Sequence, residues 1–102
     1  MKDAKFFLVV RFSVAPQAEA QVLGWLDGGH MAEVAGQPGF LWGKRIRLAP
    51  HEYSIIYGIE SKRAFEAYEN DKDLHARFIR QREPFIEHMK IERFAGEVVA
   101  HA

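Results

Sequence analysis

The run Phe6-Phe7-Leu8-Val9-Val10-Arg11-Phe12 constrains this chain more than any other part of it. It is aromatic and β-branched, too short to span a membrane, and apolar on both alternating faces except at Arg11. A strand of that kind needs cover on both sides of its sheet. At 102 residues the chain is expected to form one domain over 1–102. Chains of this size bury about 60–68% of their unfolded surface, enough for a core but not a generous one. Eight Phe, three Tyr and two Trp are many for that length. They point to a large core or to an apolar surface shared with a second copy.

The remaining elements follow from turn and helix signals. Pro16 suits a first helical turn, and Val22, Leu26 and His30 lie on one helical stripe. Gly24, Gly28 and Gly29 interrupt it, so the spacing predicts a main helix over about 16–27, a kink, and a short turn carrying His30 and Glu33. Gly36-Gln37-Pro38-Gly39 is a turn. In the next strand, alternation puts Phe40, Trp42, Lys44, Ile46 and Leu48 on one side, and Leu41, Gly43, Arg45 and Arg47 on the other. Ala49 to Glu52 is a hairpin connection to a strand whose Tyr53, Ile55, Tyr57 and Ile59 share a face. Ser61 is a good N-cap for a second helix, which Asn70 to Asp73 bends and Pro84 ends. His88 to Val99 reads as a last strand. The order β-α-β-β-α-β is the ferredoxin-like α+β plan, a four-stranded antiparallel sheet with both helices on one face. The other face then lacks cover, and an isologous homodimer packed sheet to sheet supplies it.

Charge and composition exclude several functions. Fourteen basic and fourteen acidic residues cancel, and no segment supplies the basic field that nucleic acid requires. Absence of cysteine excludes disulfides, thiolate nucleophiles and Cys-based metal sites. The charged start, Met1 to Lys5, followed by an apolar run ending at Val10, is too short for a signal peptide or membrane anchor. The chain is therefore read as cytoplasmic, without nucleic-acid or membrane partners. No glycine-rich phosphate loop calls for a nucleotide, and no feature calls for haem. His30 and Glu33 share a helix face and could chelate, but no third ligand stands at matching spacing, so no metal is expected.

Candidate site residues carry two readings each. His30 is a general base or hydrogen-bonding group facing a helix–sheet cleft, or a helix-end histidine satisfied by a backbone carbonyl or by Glu33. His75 follows the bend of the second helix, and its alternative is a surface position. Tyr57 is the first choice for a hydroxyl donating to a carbonyl oxygen. Trp42, Tyr57, Phe40 and Tyr53 are candidate aromatic walls, against plain core or interface packing, and Trp25, Trp42 and Phe78 are candidate substrate-binding residues. Arg45 is a candidate for an anionic oxygen, against an ion pair with Glu92 or Glu97. Arg11 is placed on the Arg45 side of the sheet. His51, His88 and His101 are given solvated surface roles.

The pattern Trp25-x4-His30-x2-Glu33-Val34-x3-Pro38-Gly39-Phe40 is followed by Tyr53-Ser54-Ile55-Ile56-Tyr57, Phe65-x2-Tyr68, Leu74-His75-x2-Phe78 and Pro84-Phe85. Together these resemble the dimeric α+β-barrel superfamily, with the nearest likeness to its EthD-like and uncharacterised small members. The resemblance implies a homodimeric barrel with one cleft per subunit, and a histidine near the second-helix bend acting as acid or base; His75 matches it. The members include polyketide cyclases, muconolactone-type isomerases, cofactor-free monooxygenases and haem-dependent enzymes, and fold does not choose among them. The expected function is a cofactor-free isomerase, cyclase or lyase using histidine chemistry on an aromatic, polyketide-like or lactone substrate. The alternatives are a cofactor-free monooxygenase of the antibiotic-biosynthesis type and a non-catalytic ligand-binding dimer.

Overall fold

The computed structural model describes residues 3–102, so the expectations about Met1 and Lys2 lie outside the described residues. Strand β1 (Phe6–Val14) leads into helix α1 (Pro16–Trp25). One turn of π-helix (Leu26–His30) joins it to the short α2 (Met31–Ala35). Strands β2 (Phe40–Ala49) and β3 (Glu52–Ile59) form the hairpin. Helices α3 (Lys62–Glu69) and α4 (Lys72–Arg82) precede β4 (Met89–Glu97). The sheet is antiparallel throughout, with strand order β2-β3-β1-β4, which is the ferredoxin-like arrangement.

Each helix breaks where the sequence supplies a reason. The Ser61 hydroxyl accepts from the Ala64 N–H at 3.1 Å and starts α3. Asp71 repeats the cap on the Leu74 N–H at 3.1 Å, so the expected bend is a full stop and restart. In the first helix, the Met31 N–H reaches back five residues to the Leu26 carbonyl. Gly29 holds φ 151°, a conformation that side-chain-bearing residues rarely adopt. The kink expected at the glycines is therefore this π-turn, and it carries His30 to the inner end of the segment.

The core lies between the helices and one sheet face, where Leu8, Phe12, Ile55, Tyr57 and Ile59 meet Val22, Leu26, Val34, Leu74 and Phe78. The expectation for β2 is corrected here. Phe40 pairs with Ile59 but Trp42 pairs with Gly58, so Leu41 is an extra residue in a β-bulge. The bulge shifts the alternation by one. Phe40 stays in the core, while Trp42 turns to the outer face, over Gly58 and 5.8 Å from Phe7. Phe7, Val9, Trp42, Ile46, Ile56 and Phe94 thus share the face that no helix covers. Ile46 and Phe94 are 46% and 53% exposed.

Candidate active site

A cleft of about 140 Å³ lies between helices and sheet, with Leu8, Ile55 and Tyr57 as its floor. His30, His75, Tyr57, Trp25 and Phe78, five of the seven residues singled out from sequence, line it together. The other two do not. Trp42 is on the outer face for the reason just given. Arg45 grips Asp27 through two hydrogen bonds, at 2.8 and 3.2 Å, at the rim of β2. Its partner is therefore Asp27, not Glu92 or Glu97. Arg11 pairs with Glu52 at 2.5 Å and stands on the outer face, across the sheet from Arg45, because its register partner is Ser54 rather than Ile55.

His30 is held by aromatic rings and not by hydrogen bonds. Trp25 stacks on it at 3.9 Å between centroids, and Phe78 meets it edge-on at 4.5 Å. Its Nδ1 is buried without a partner. Burial, with the nearby Arg82 and Arg77 cations, lowers its pKa to about 4 against the opposing pull of Glu33, so the ring is neutral at neutral pH. The expected His30–Glu33 pairing is replaced: both Glu33 oxygens accept from Arg77 on α4, which holds the Glu33 carboxyl below its ordinary pKa. Among the described residues no group of three or more metal-ligating side chains converges anywhere.

His75 sits edge-on to Tyr68 at 4.7 Å and to Phe78 at 5.9 Å. Its Nε2–H donates to the Tyr68 carbonyl at 2.9 Å, so in the neutral ring Nδ1 is the acceptor. Burial pushes the Tyr68 phenol up to about 12 and the Tyr57 phenol higher still, so both stay protonated donors. Gly43 lets the Tyr57 ring lie flat on β2, since a Cβ there would stand 2.8 Å from Tyr57 Cε1.

Three polar lining residues have no site role in the sequence pattern: Tyr68, which enters it only as part of Phe65-x2-Tyr68, and Arg82 and Arg93. The signals were present. Arg82 continues the stripe Leu74–Phe78 at i+4, and Arg93 continues the inward alternation Met89–Ile91. A cation in register with an apolar stripe marks a charge aimed at the interior. Arg93 pairs with Glu69, whereas Arg82 has no carboxylate within 4 Å among the described residues.

Outside the cleft, His51 is exposed in the hairpin with φ 63°, but its Nδ1 lies 2.6 Å from Glu19, which also accepts from the Tyr53 hydroxyl. His88 lies 3.6 Å from Glu87, and His101 is exposed near the chain end. No helix of the described residues is long and apolar enough to cross a membrane.

No family model matches the chain, and no curated protein matches it. Solved structures do. The haem degrader MhuD of Mycobacterium tuberculosis, solved with two haems in its active site, superposes with a TM-score of 0.68 at 19% identity, over 95% of this chain and 98% of that one. SnoaB, a cofactor-independent oxygenase of Streptomyces nogalater, gives 0.67 at 20% identity, over 96% of each. The ActVA-Orf6 monooxygenase of Streptomyces coelicolor, solved with nanaomycin D, gives 0.62 at 19% identity, over 97% of this chain and 93% of that one. These are named as oxygenases and a haem degrader, not as EthD-like proteins, isomerases or cyclases. The agreement covers nearly the whole of each chain, and this protein shares with these structures the ferredoxin-like α+β fold, a four-stranded antiparallel sheet with its helices on one face.

Proposed function

We propose that this chain is a small-molecule enzyme of the cofactor-independent oxygenase kind, acting on an electron-rich phenol or an enolisable ring methylene. The observation that carries the reading is the buried, unpartnered Nδ1 of His30 inside an aromatic-walled cleft. A buried acceptor without a partner costs about 1–3 kcal/mol, which a ligand hydroxyl relieves on binding. An apolar cavity of roughly 150 Å³ takes one benzene ring, so this cleft admits one ring of the substrate and leaves any remainder at its mouth.

The reaction balances without an external reductant: a ring methylene plus O₂ gives a ring carbonyl plus water, the substrate supplying all four electrons. The chain's part is to strip water from the ring, to orient its hydroxyl on His30 Nδ1, and to take a proton at His75 Nδ1 as electron density leaves the substrate. His30 does not serve as the base in this scheme. A pKa of about 4 makes its protonated form costly at neutral pH.

The similarity to MhuD raises haem. The residues present do not fit it. The cleft has room for one ring rather than a four-pyrrole macrocycle, His75 commits Nε2 to the Tyr68 carbonyl, and one face of His30 is covered by Trp25. No step of the proposed chemistry passes through haem.

A second reading is the proton-transfer isomerase, cyclase or lyase expected from the sequence, favoured by the presence of two histidines and Tyr57 in one cleft. An oxygen electrode separates the two. Oxygen uptake matched to substrate loss, without added cofactor, supports the oxygenase. Equal turnover under argon overturns it and leaves the isomerase class.

Homodimerisation belongs to the same proposal. The face bearing Trp42, Ile46 and Phe94 is apolar and uncovered, and contiguous patches of this kind mark association surfaces. Light scattering at micromolar concentration is expected to give twice the 11.7 kDa chain mass, and a monomer overturns the barrel.

A further inference from the structure

We infer that the substrate of this cleft carries a permanently anionic group, a carboxylate or an equally acidic oxygen, which Arg82 takes at the cleft mouth with Arg93 beside it. The inference rests on the proposed function only for which cavity the substrate enters.

The cavity wall combines apolar aromatic side chains with two cations. Trp25, His30 and Phe78 supply the rings, and Arg82 and Arg93 the charge. Arg93 is the outer of the two cations and is already matched by Glu69. Arg82 is half-buried at the last turn of α4, and no carboxylate of the described residues lies within 4 Å of it. The other structural arginines of this region are matched in pairs: Arg77 with Glu33 and Arg45 with Asp27. Arg82 is the cation of the cleft that lacks a match.

Two forces act on it in the free protein. Burial removes part of its hydration, and Arg93 repels it; both lower its pKa, with Tyr68 opposing them. An exposed lysine or arginine without a partner needs no explanation, because water solvates it. A half-buried guanidinium facing a second guanidinium is different, because folding alone gives it nothing in return. An anionic ligand oxygen supplies what Arg82 lacks, and the guanidinium fork is shaped to hold a carboxylate through two parallel N–H donors. Tyr68, still protonated, stands beside them as a neutral donor. The lining suits an aromatic acid: a ring against the aromatic and apolar side chains of the cleft, and its acidic oxygen directed toward Arg82 on α4 and Arg93 on β4.

The test is binding, not turnover. Calorimetric titrations with gentisate, its methyl ester and hydroquinone compare one ring with and without the charge. The acid is expected to bind about tenfold or more tightly than the ester, as befits a charge-assisted hydrogen bond. That preference should shrink with added salt and vanish in Arg82→Gln, while Arg80→Gln, changed on the exposed side of the same helix, should keep it. Equal binding of acid and ester by the parent overturns the inference, as does no binding of gentisate at millimolar concentration or an acid preference that survives in folded Arg82→Gln. Should Arg82→Gln fail to fold, the salt series decides, and a preference insensitive to salt overturns it. The outcomes stay separable from the oxygenase reading. Tight gentisate binding without oxygen uptake sinks the oxygenase alone, whereas oxygen uptake with hydroquinone and no acid preference sinks the present inference alone.

Discussion

Acidification should expose His30 as the weak point of the fold. The folded ring resists protonation until about pH 4, whereas the same side chain in the unfolded chain titrates at its ordinary 6.5. Between those values the unfolded state binds more protons, so stability must rise with pH there. The contribution is complete above 6.5 and is lost as pH falls toward 4. Each tenfold change in proton affinity is worth ~1.4 kcal/mol, so the whole interval corresponds to roughly 3 kcal/mol, trimmed to about 2 by the residual solvent contact of a half-buried ring. Denaturant unfolding of the parent and of His30→Phe across this interval isolates the term, because phenylalanine keeps an aromatic ring against Trp25 and cannot titrate. The parent's advantage over the variant should shrink by about 2 kcal/mol on going from neutral pH to the lower limit. Parallel loss of stability in both proteins refutes the argument. So does a His30 ring-proton NMR titration centred near the ordinary value, which would mean that the aromatic sandwich is open to water.

Truncating Phe78 to alanine should cost about 3–5 kcal/mol in denaturant unfolding, because its ring is 3% exposed and supports His30, His75 and Arg77 together; a loss below about 1 kcal/mol would mean that it is a mobile cleft wall and not core. Gly43→Ala should destabilise by about 1–3 kcal/mol and weaken ligand binding in parallel, since its Cβ would drive the buried Tyr57 ring into the cleft; an unchanged melting temperature would show that β2 yields instead.

Most of the scaffold was legible because its signals are local. A dense aromatic and β-branched run marked β1 and alternation marked β3, Ser61 and Asp71 are side-chain caps within one turn of the amides they bind, and Pro84 lies just past the last turn of α4. The cleft was legible in part for the same reason, since helical spacing alone groups Leu26 and His30, and again His75 and Phe78, whereas Trp25 meets His30 only through the π-turn between them. What escaped depends on non-local register. Nothing around Leu41 declares that it has no partner of its own, so the misplacement of Trp42 followed from counting by twos through a bulge. Arg45 met a partner on another element, and no pattern in β2 announces Asp27. Arg82 and Arg93 escaped differently: each was in phase with an apolar stripe, but arginines on amphipathic elements are so often solvated that the phase was passed over.

The bulge at Leu41 also sets how the two aromatic residues flanking it divide their labour. Phe40 and Trp42 are two positions apart, and in an unbroken strand both would face the helices. One uncounted residue separates their destinies, assigning Phe40 to the wall behind Tyr68 and Trp42 to the open side beside Phe7. Deleting Leu41 would remove the bulge but leave Phe40 and Trp42 as neighbours, and ordinary alternation would then keep them on opposite faces. The danger lies in the other direction: with Leu41 kept and counted as a regular strand position, both rings would fall on one side, and the outer face would lose its largest ring in the same step that crowded the interior. Interior volume and surface stickiness in this protein thus hang together on one residue staying out of the count, and a lineage could shed Leu41 at this point without exchanging the two rings.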